Sequence, residues 1–283
     1  VACSTGRSTE GEEHTQVDGA LFERVGPSFV PSSLTVGPWR PDAMHGGPPS
    51  ALVGTLISEV TEAGEHVVRV NIDLERPVLV APLTARVVRR TVSRRVAKVE
   101  VELFAGEALV VSARALLLRG EPVVPARAPG DDGDPPRLAG EEHRVELGPG
   151  AHAEPVVYHR DGVEARVLEG GFDVSGPSVA WMRLLGPVIA GEPPFGLAQV
   201  LAVADFGSAL SQSVDPDSDT GLINLDVNVS LTREPVGPWF RIAATGRLGA
   251  EGIGLAVAEL TDEHGPLGLV TQSQIVHAWS RPS

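Results

Sequence analysis

The sequence predicts an α+β fold built from two repeats, each a central helix wrapped by an antiparallel β-sheet. Three observations carry that prediction. A stretch rich in Pro, Gly and Asp over residues 121–142 interrupts the chain near its midpoint, and such chemistry sustains neither strand nor helix. Each half then holds one apolar helical segment followed by β-rich runs. A matching punctuation mark, Arg76-Pro77-Val78 against Arg233-Glu234-Pro235-Val236, follows the first of those runs in both halves.

Taken in order, residues 1–18 are polar and acidic without periodicity and read as a loose tail. The first repeat is expected over 19–120. Gly46-Gly47-Pro48-Pro49 leads into a helix over Ser50 to Val60, with Pro near its first position. Strands are expected over Val67 to Leu74, Leu83 to Val92, Val96 to Phe104 and Ala108 to Leu118. The linker carries the acidic run Asp131-Asp132-Gly133-Asp134, and the second repeat is expected over 143–283. Its helical segment runs from Gly196 to Val214, and strands are expected over Ile223 to Leu231, Trp239 to Leu248, Gly254 to Thr261 and Leu267 to Trp279. From Leu197 to Leu210 that helical segment is apolar nearly all round, which marks a buried helix. A buried helix enclosed by an antiparallel sheet is the hotdog arrangement, so two repeats make a double hotdog.

Composition bounds the function. With 42% hydrophobic residues and a mean hydropathy of +0.05 the chain has ample core material. A net charge of −14 argues against nucleic acid, which demands a basic face. The pairs Arg89-Arg90 and Arg94-Arg95 stand against this background and read as a solvated strand edge, with a docking patch for the phosphates of a CoA-like ligand as the sharper alternative. One cysteine, Cys3, allows no intrachain disulfide and suits a reducing compartment. No run approaches the roughly 20 apolar residues that span a bilayer, so a soluble, cytoplasmic protein is expected. The opening Val-Ala-Cys-Ser faintly resembles the end of a lipoprotein signal, but no targeting segment is expected.

Three polar residues stand out in the second half. Asp205 falls in the middle of the apolar helical segment, where Asp is a poor helix former and rarely buried without partners. A cap at a helix break would explain it, as would a desolvated general base held by nearby donors. Asn224 and Gln272 offer such donors, and strand alternation puts Gln272 and Gln274 on one face with Thr271, Ser273 and Ile275 on the other. Together they form an acid–amide–amide set able to orient one water. In the first half, His45-Gly46-Gly47 precedes a helix start, where backbone N–H groups favour developing negative charge. That suits a thioester carbonyl passing through an oxyanion, with His45 expected to orient the loop. The sequence has no Gly-x-Ser-x-Gly elbow, no nucleophilic cysteine outside the tail, no metal-ligand spacing, no Walker loop and no Gly-x-Gly-x-x-Gly fingerprint. Hydrolysis would therefore proceed by direct attack of water.

Gly37-Pro38-Trp39 followed by His45-Gly46-Gly47-Pro48-Pro49-Ser50-Ala51-Leu52 resembles the first-repeat motif of the type II acyl-CoA thioesterases, particularly their actinobacterial branch. Ala204-Asp205-Phe206-Gly207, Ile223-Asn224-Leu225-Asp226, Pro235-Val236-Gly237-Pro238-Trp239, Asp262-Glu263-His264-Gly265 and Gln272-Ser273 are similar to its second-repeat segments. The resemblance spans roughly residues 20–280. It implies a double-hotdog fold and hydrolysis of acyl-CoA to free acid and CoA. It further implies a catalytic set of Asp on the second helix, Thr or Ser on the following strand, and Gln on a late strand. Asp205 and Gln272 match two of these, and Asn224 stands at the Thr position. No cofactor or metal is implied beyond the CoA or phosphopantetheine of the substrate, which sits on CoA or on an acyl carrier protein, and a homodimer is expected. Two other readings stay open: addition of a nucleophile to an enoyl thioester, and a thioester-binding protein without turnover.

Overall fold

The computed structural model describes residues 19–123, 137–147, 154–215 and 220–278. The expected tail with Cys3, the acidic run at 131–134 and most of the expected linker lie outside the described residues. In the first half the elements are β1 (Phe22–Val25), β2 (Ser28–Pro31), α1 (Gly47–Glu59), β3 (His66–Leu74), β4 (Leu83–Ser93), β5 (Val96–Ala105) and β6 (Ala108–Leu118). In the second they are β7 (Arg144–Val145), β8 (Val163–Glu169), β9 (Ser178–Leu184), α2 (Gly196–Ala204), β10 (Thr220–Asn224), β11 (Asp226–Leu231), β12 (Phe240–Leu248), β13 (Ile253–Asp262) and β14 (Gly265–Ala278).

All fourteen strands belong to one sheet, in the order β1-β2-β4-β5-β6-β3-β11-β14-β13-β12-β9-β8-β7, with β10 also on β14. Every pairing between named strands is antiparallel. The long strands follow the expected alternation. On β5, Ala97, Val99, Val101 and Leu103 are buried while Lys98 and Glu100 face out. The two halves meet at β3 and β11, where Asn71 and Asn228, 157 positions apart in the chain, stand opposite each other and join their side-chain amides. The same offset relates the row Val88–Glu100–Arg114 to the row Thr245–Val257–Thr271. A local two-fold therefore passes between the two asparagines, and the molecule is a double hotdog.

The sheet encloses α1 and α2, which are apolar on nearly every side because nearly every side is covered. Residues 47–57 of α1 are all buried, as are seven of the nine in α2. The helices touch closely: a Cβ on Gly54 would lie 2.8 Å from Ala198 Cα, so only glycine fits. Buried hydroxyls on α1 are satisfied within the helix, Ser50 Oγ donating to Gly46 O and Thr55 Oγ1 to Ala51 O. Among the described residues no helix is long and apolar enough to cross a membrane.

Three local expectations change. The helix expected over Gly196 to Val214 is α-helical only to Ala204 and then tightens into 3₁₀ turns, Asp205–Gly207 and Ala209–Ser211. Asp205 thus stands at the end of the α-helix and not in its middle, at the break that a poor helix former favours. The strand expected over Ile223 to Leu231 breaks at Leu225, because the register on β14 slips by one between Asn224↔Gln274 and Asn228↔Thr271. The first half repeats this bulge between Val67 and Arg69. Finally, α1 begins at Gly47, earlier than expected, since Pro48 and Pro49 fit a first helical turn that needs no N–H.

Candidate active site

The site forms where the start of α1 meets the end of α2. A short hairpin leads in from the first half: Gly37 N–H donates to Ala43 O and His45 N–H to Thr35 O. It delivers His45 to the interior, with its ring stacked on Phe206 at 4.7 Å and tilted against Tyr158 at 5.0 Å. Gly46 and Gly47 follow with no room to spare. A Cβ on Gly46 would fall 2.7 Å from Asp205 Oδ2, and one on Gly47 would fall 2.5 Å from Ala202 O. Pro48 and Pro49 carry no N–H, so Gly46 and Gly47 hold the donors at this helix start. Gly46 N–H makes no hydrogen bond among the described residues.

Asp205 is 5% exposed, and donors from three elements converge on it. Asn224, the last residue of β10 beside the bulge, donates from Nδ2 to Oδ1 at 2.7 Å. Gln272, fully buried on β14, donates from Nε2 to Asp205 O at 3.1 Å and reaches Oδ1 at 3.4 Å. These contacts fix the amide with its nitrogen toward Asp205, and among the described residues the buried Gln272 Oε1 has no hydrogen-bond partner. His45 Nδ1 lies 2.9 Å from Asp205 Oδ2 and 3.1 Å from Gly47 N. The two contacts ask opposite things of Nδ1, which must donate to a carboxylate but accept from an N–H. At 2.9 Å the imidazole and the carboxyl need a proton between them. With that proton on Nδ1, the ring nitrogen would no longer accept from Gly47 N–H.

Tyr158 backs the arrangement. It sits in the turn Tyr158–Gly162, fully buried, and its hydroxyl donates to Ala202 O at 2.7 Å. Burial, and then the charge of Asp205, push its phenol well above the ordinary tyrosine range, so it stays a neutral donor.

All six residues singled out from sequence meet here: His45, Gly46, Gly47, Asp205, Asn224 and Gln272. One expected arrangement differs. Both amides donate to Asp205 itself, so they hold the carboxylate as well as any water. His45 also does more than orient its loop, since it touches the acid directly. Sequence reasoning missed Tyr158 and Phe206. Tyr158 had one signal, being the only tyrosine in the chain. The basic clusters do not converge on this site: Arg89 is paired with Glu62 and Glu65, and Arg95 with Glu121.

Comparison with known proteins agrees with this architecture. Residues 35–119 match the family model of the acyl-CoA thioesterase N-terminal domain, and residues 129–276 match that of the C-terminal domain. No curated protein matches the sequence significantly. Among solved structures, a tesB protein from Mycobacterium avium subs paratuberculosis is similar with a TM-score of 0.62 and 18% identity, over 90% of this chain and 95% of that one. The acyl-CoA thioesterase II TesB2 of Mycobacterium marinum gives a TM-score of 0.57 and 13% identity, over 92% and 96%. A conserved protein of unknown function with a hot dog fold from Alicyclobacillus acidocaldarius gives 0.64 and 15%, over 93% and 96%. At these identities the structures speak for the fold, while the family models span both halves of the chain. The chain belongs to the acyl-CoA thioesterase family and is a thioester hydrolase.

Proposed function

We propose that the protein hydrolyses an acyl thioester of CoA or of an acyl carrier protein by direct attack of water, with Asp205 as general base. The observation that carries this reading is the buried carboxylate held by Asn224, Gln272 and His45 directly beside the glycine N–H groups of α1. Asp205 takes a proton from water while the water oxygen bonds to the thioester carbon. The carbonyl electrons move to oxygen, and Gly46 N–H and Gly47 N–H receive the resulting charge. The tetrahedral intermediate then collapses with cleavage of C–S. The proton held at Asp205 goes to the departing thiolate, leaving free acid and thiol. Gln272 Oε1, which has no partner among the described residues, accepts the second hydrogen of the water. The protein needs no cofactor in this scheme, since CoA or phosphopantetheine arrives as part of the substrate.

Asp205→Asn tests the role of the base. A positioned general base contributes about 10²- to 10⁴-fold, so kcat should fall by that much while the melting temperature shows a folded protein. Free thiol release across a panel of acyl-CoAs, with products identified by mass, is the assay. Full hydrolysis by the variant would remove Asp205 from the mechanism. A mass-shifted thioester formed from an enoyl-CoA without thiol release would assign the site to addition.

A further inference from the structure

Asp205 and Gln272 form one rung of a longer polar contact. Beyond Ala204 the chain runs in 3₁₀ turns, and at three residues per turn Asp205 and Ser208 share a face. Alternation on β14 does the same for Gln272 and Gln274, both buried while Ser273 is exposed. Gln272 donates to Asp205, and Gln274 Nε2 donates to Ser208 Oγ at 2.7 Å. The spacings match, about 6 Å for three 3₁₀ residues and about 7 Å for two strand residues. A second rung thus stands one step along from the carboxylate.

That second rung is not saturated. Gln274 is 2% exposed, yet among the described residues its Oε1 has no hydrogen-bond partner. Among the described residues the Ser208 hydroxyl accepts from Gln274 but finds no acceptor for its own hydrogen. Gly254 opposite leaves the space for Oε1, since a Cβ there would lie 3.0 Å from it. Ser211, fully buried on the next 3₁₀ turn, commits its hydroxyl to Ser208 O. An acceptor lacking a donor beside a donor lacking an acceptor is satisfied by one group that does both, a water or the hydroxyl of a ligand that displaces it. Exposure says which part of the substrate brings it. The hairpin that carries His45 is open, with Trp39 49% exposed, whereas Gln274 and Ser211 are buried. A charged thiol carrier that enters from the hairpin side would lay the acyl chain along the rungs toward Ser208 and Gln274.

We propose that the acyl group accepted here carries a hydroxyl on its third to fifth carbon, held by Ser208 and Gln274. The inference rests on the thioester reading above, so binding and turnover are tested separately. Binding uses the Asp205→Asn protein, titrated calorimetrically with two pairs: butanoyl-CoA and 3-hydroxybutanoyl-CoA, and pentanoyl-CoA and 5-hydroxypentanoyl-CoA. Turnover uses kcat/KM of the unaltered protein on the same four. The hydroxylated member of at least one pair should be favoured about 10-fold or more, since a site built to bond a hydroxyl rejects the analogue lacking it. Ser208→Ala and Gln274→Leu should each bring the ratio close to one. Gly254→Ala, which crowds Gln274 Oε1 from the neighbouring strand, supplies a third route to the same loss. Equal treatment within both pairs, or a preference that survives in every variant, overturns the proposal. So does uniform weakening of all four ligands, which would assign the rung to the pantetheine amide. Preference in binding without any turnover would overturn hydrolysis and leave the recognition standing. Turnover without preference would do the reverse, and no binding of any ligand would overturn both.

Discussion

Gly46→Ala is the most informative single change, because the added methyl has one target. Gly46 sits at φ −65°, ψ −24°, a conformation alanine adopts without strain. Its Cβ would lie 2.7 Å from Asp205 Oδ2, 2.8 Å from Oδ1 and 2.9 Å from Cγ, whereas ordinary contact begins near 3.4 Å. The carboxylate must therefore retreat by roughly 0.7 Å, or α1 must move by as much. Retreat stretches the bonds from Asn224 and His45, now at 2.7 and 2.9 Å, beyond good geometry. Displacement of a reacting group by about 1 Å costs on the order of 100-fold, so kcat should fall 30- to 100-fold. Overpacking of this kind costs about 1–3 kcal/mol of stability. Gly106→Ala is the matched control: its φ of +61° makes alanine strained, yet nothing lies within 4 Å of the new Cβ. The control should lose about 1 kcal/mol and no activity. Thiol release and thermal melts on both variants give the comparison. Wild-type kcat in Gly46→Ala would show that the acid beside α1 is not the reacting group.

Four further outcomes follow from two side chains. Burial pushes the Asp262 carboxyl up, but Arg233 and the N–H groups of Val236 and His264 outweigh it and hold it below the usual range. Its stabilisation is present above the ordinary carboxylate pKa near 4 and is lost as pH falls through the lower folded value, so acid unfolding should be shallower in Asp262→Asn. Asp262→Ala, which leaves Arg233 without its fork, should cost about 3 kcal/mol at pH 7 in a denaturant titration. Tyr158, the only tyrosine, should give no phenolate absorption while the protein stays folded through pH 10, and stability should decline above that pH as the unfolded chain ionises. Tyr158→Phe, which leaves Ala202 O without its donor, should lower stability by about 1–3 kcal/mol in thermal melts.

Much of this was legible in the sequence, and the exceptions have physical causes. Strands β3 to β6 and β12 to β14 were legible as β-rich runs, with clean alternation on β5, whereas only Leu83 is buried on β4 and β13 ends in three consecutive buried residues. Strands β8 and β9 escaped although Val163, Ala165 and Val167 alternate with Glu164 and Arg166 on β8, because the runs are short and the groups that cover their charged face come from elsewhere in the chain. Glu164 is buried between Arg166 and Arg183, and both guanidiniums lie over the Trp239 ring at 4.5 and 4.8 Å. The bulge at Leu225 escaped because a one-residue slip is invisible until the partner strand is known. In the site, Asp205 was legible as a carboxylate in an apolar segment, and Gln272 as an amide donor on a late strand that matches the family motif. The contact between His45 and Asp205 was not, since it spans both halves and depends on the start of α1 meeting the end of α2.

The local two-fold sharpens what the two halves share. The ladder that pairs Asn224 with Gln274 has its counterpart in Val67 with Leu117, and Gln272 corresponds to Ala115. All three counterparts are apolar and buried. The second position related by the axis is therefore core, where each large apolar side chain contributes about 1.5–3 kcal/mol, while a carboxylate without its amide donors would be costly. In a dimer of identical single repeats, a residue placed for chemistry at one position appears at the other as well. Fusing the repeats removes that constraint. The backbone keeps the symmetry, down to the repeated bulge beside Asn224 and Val67, and the side chains abandon it. The first half supplies the glycine turn and His45, the second supplies the acid and both amides, and neither half holds the site alone.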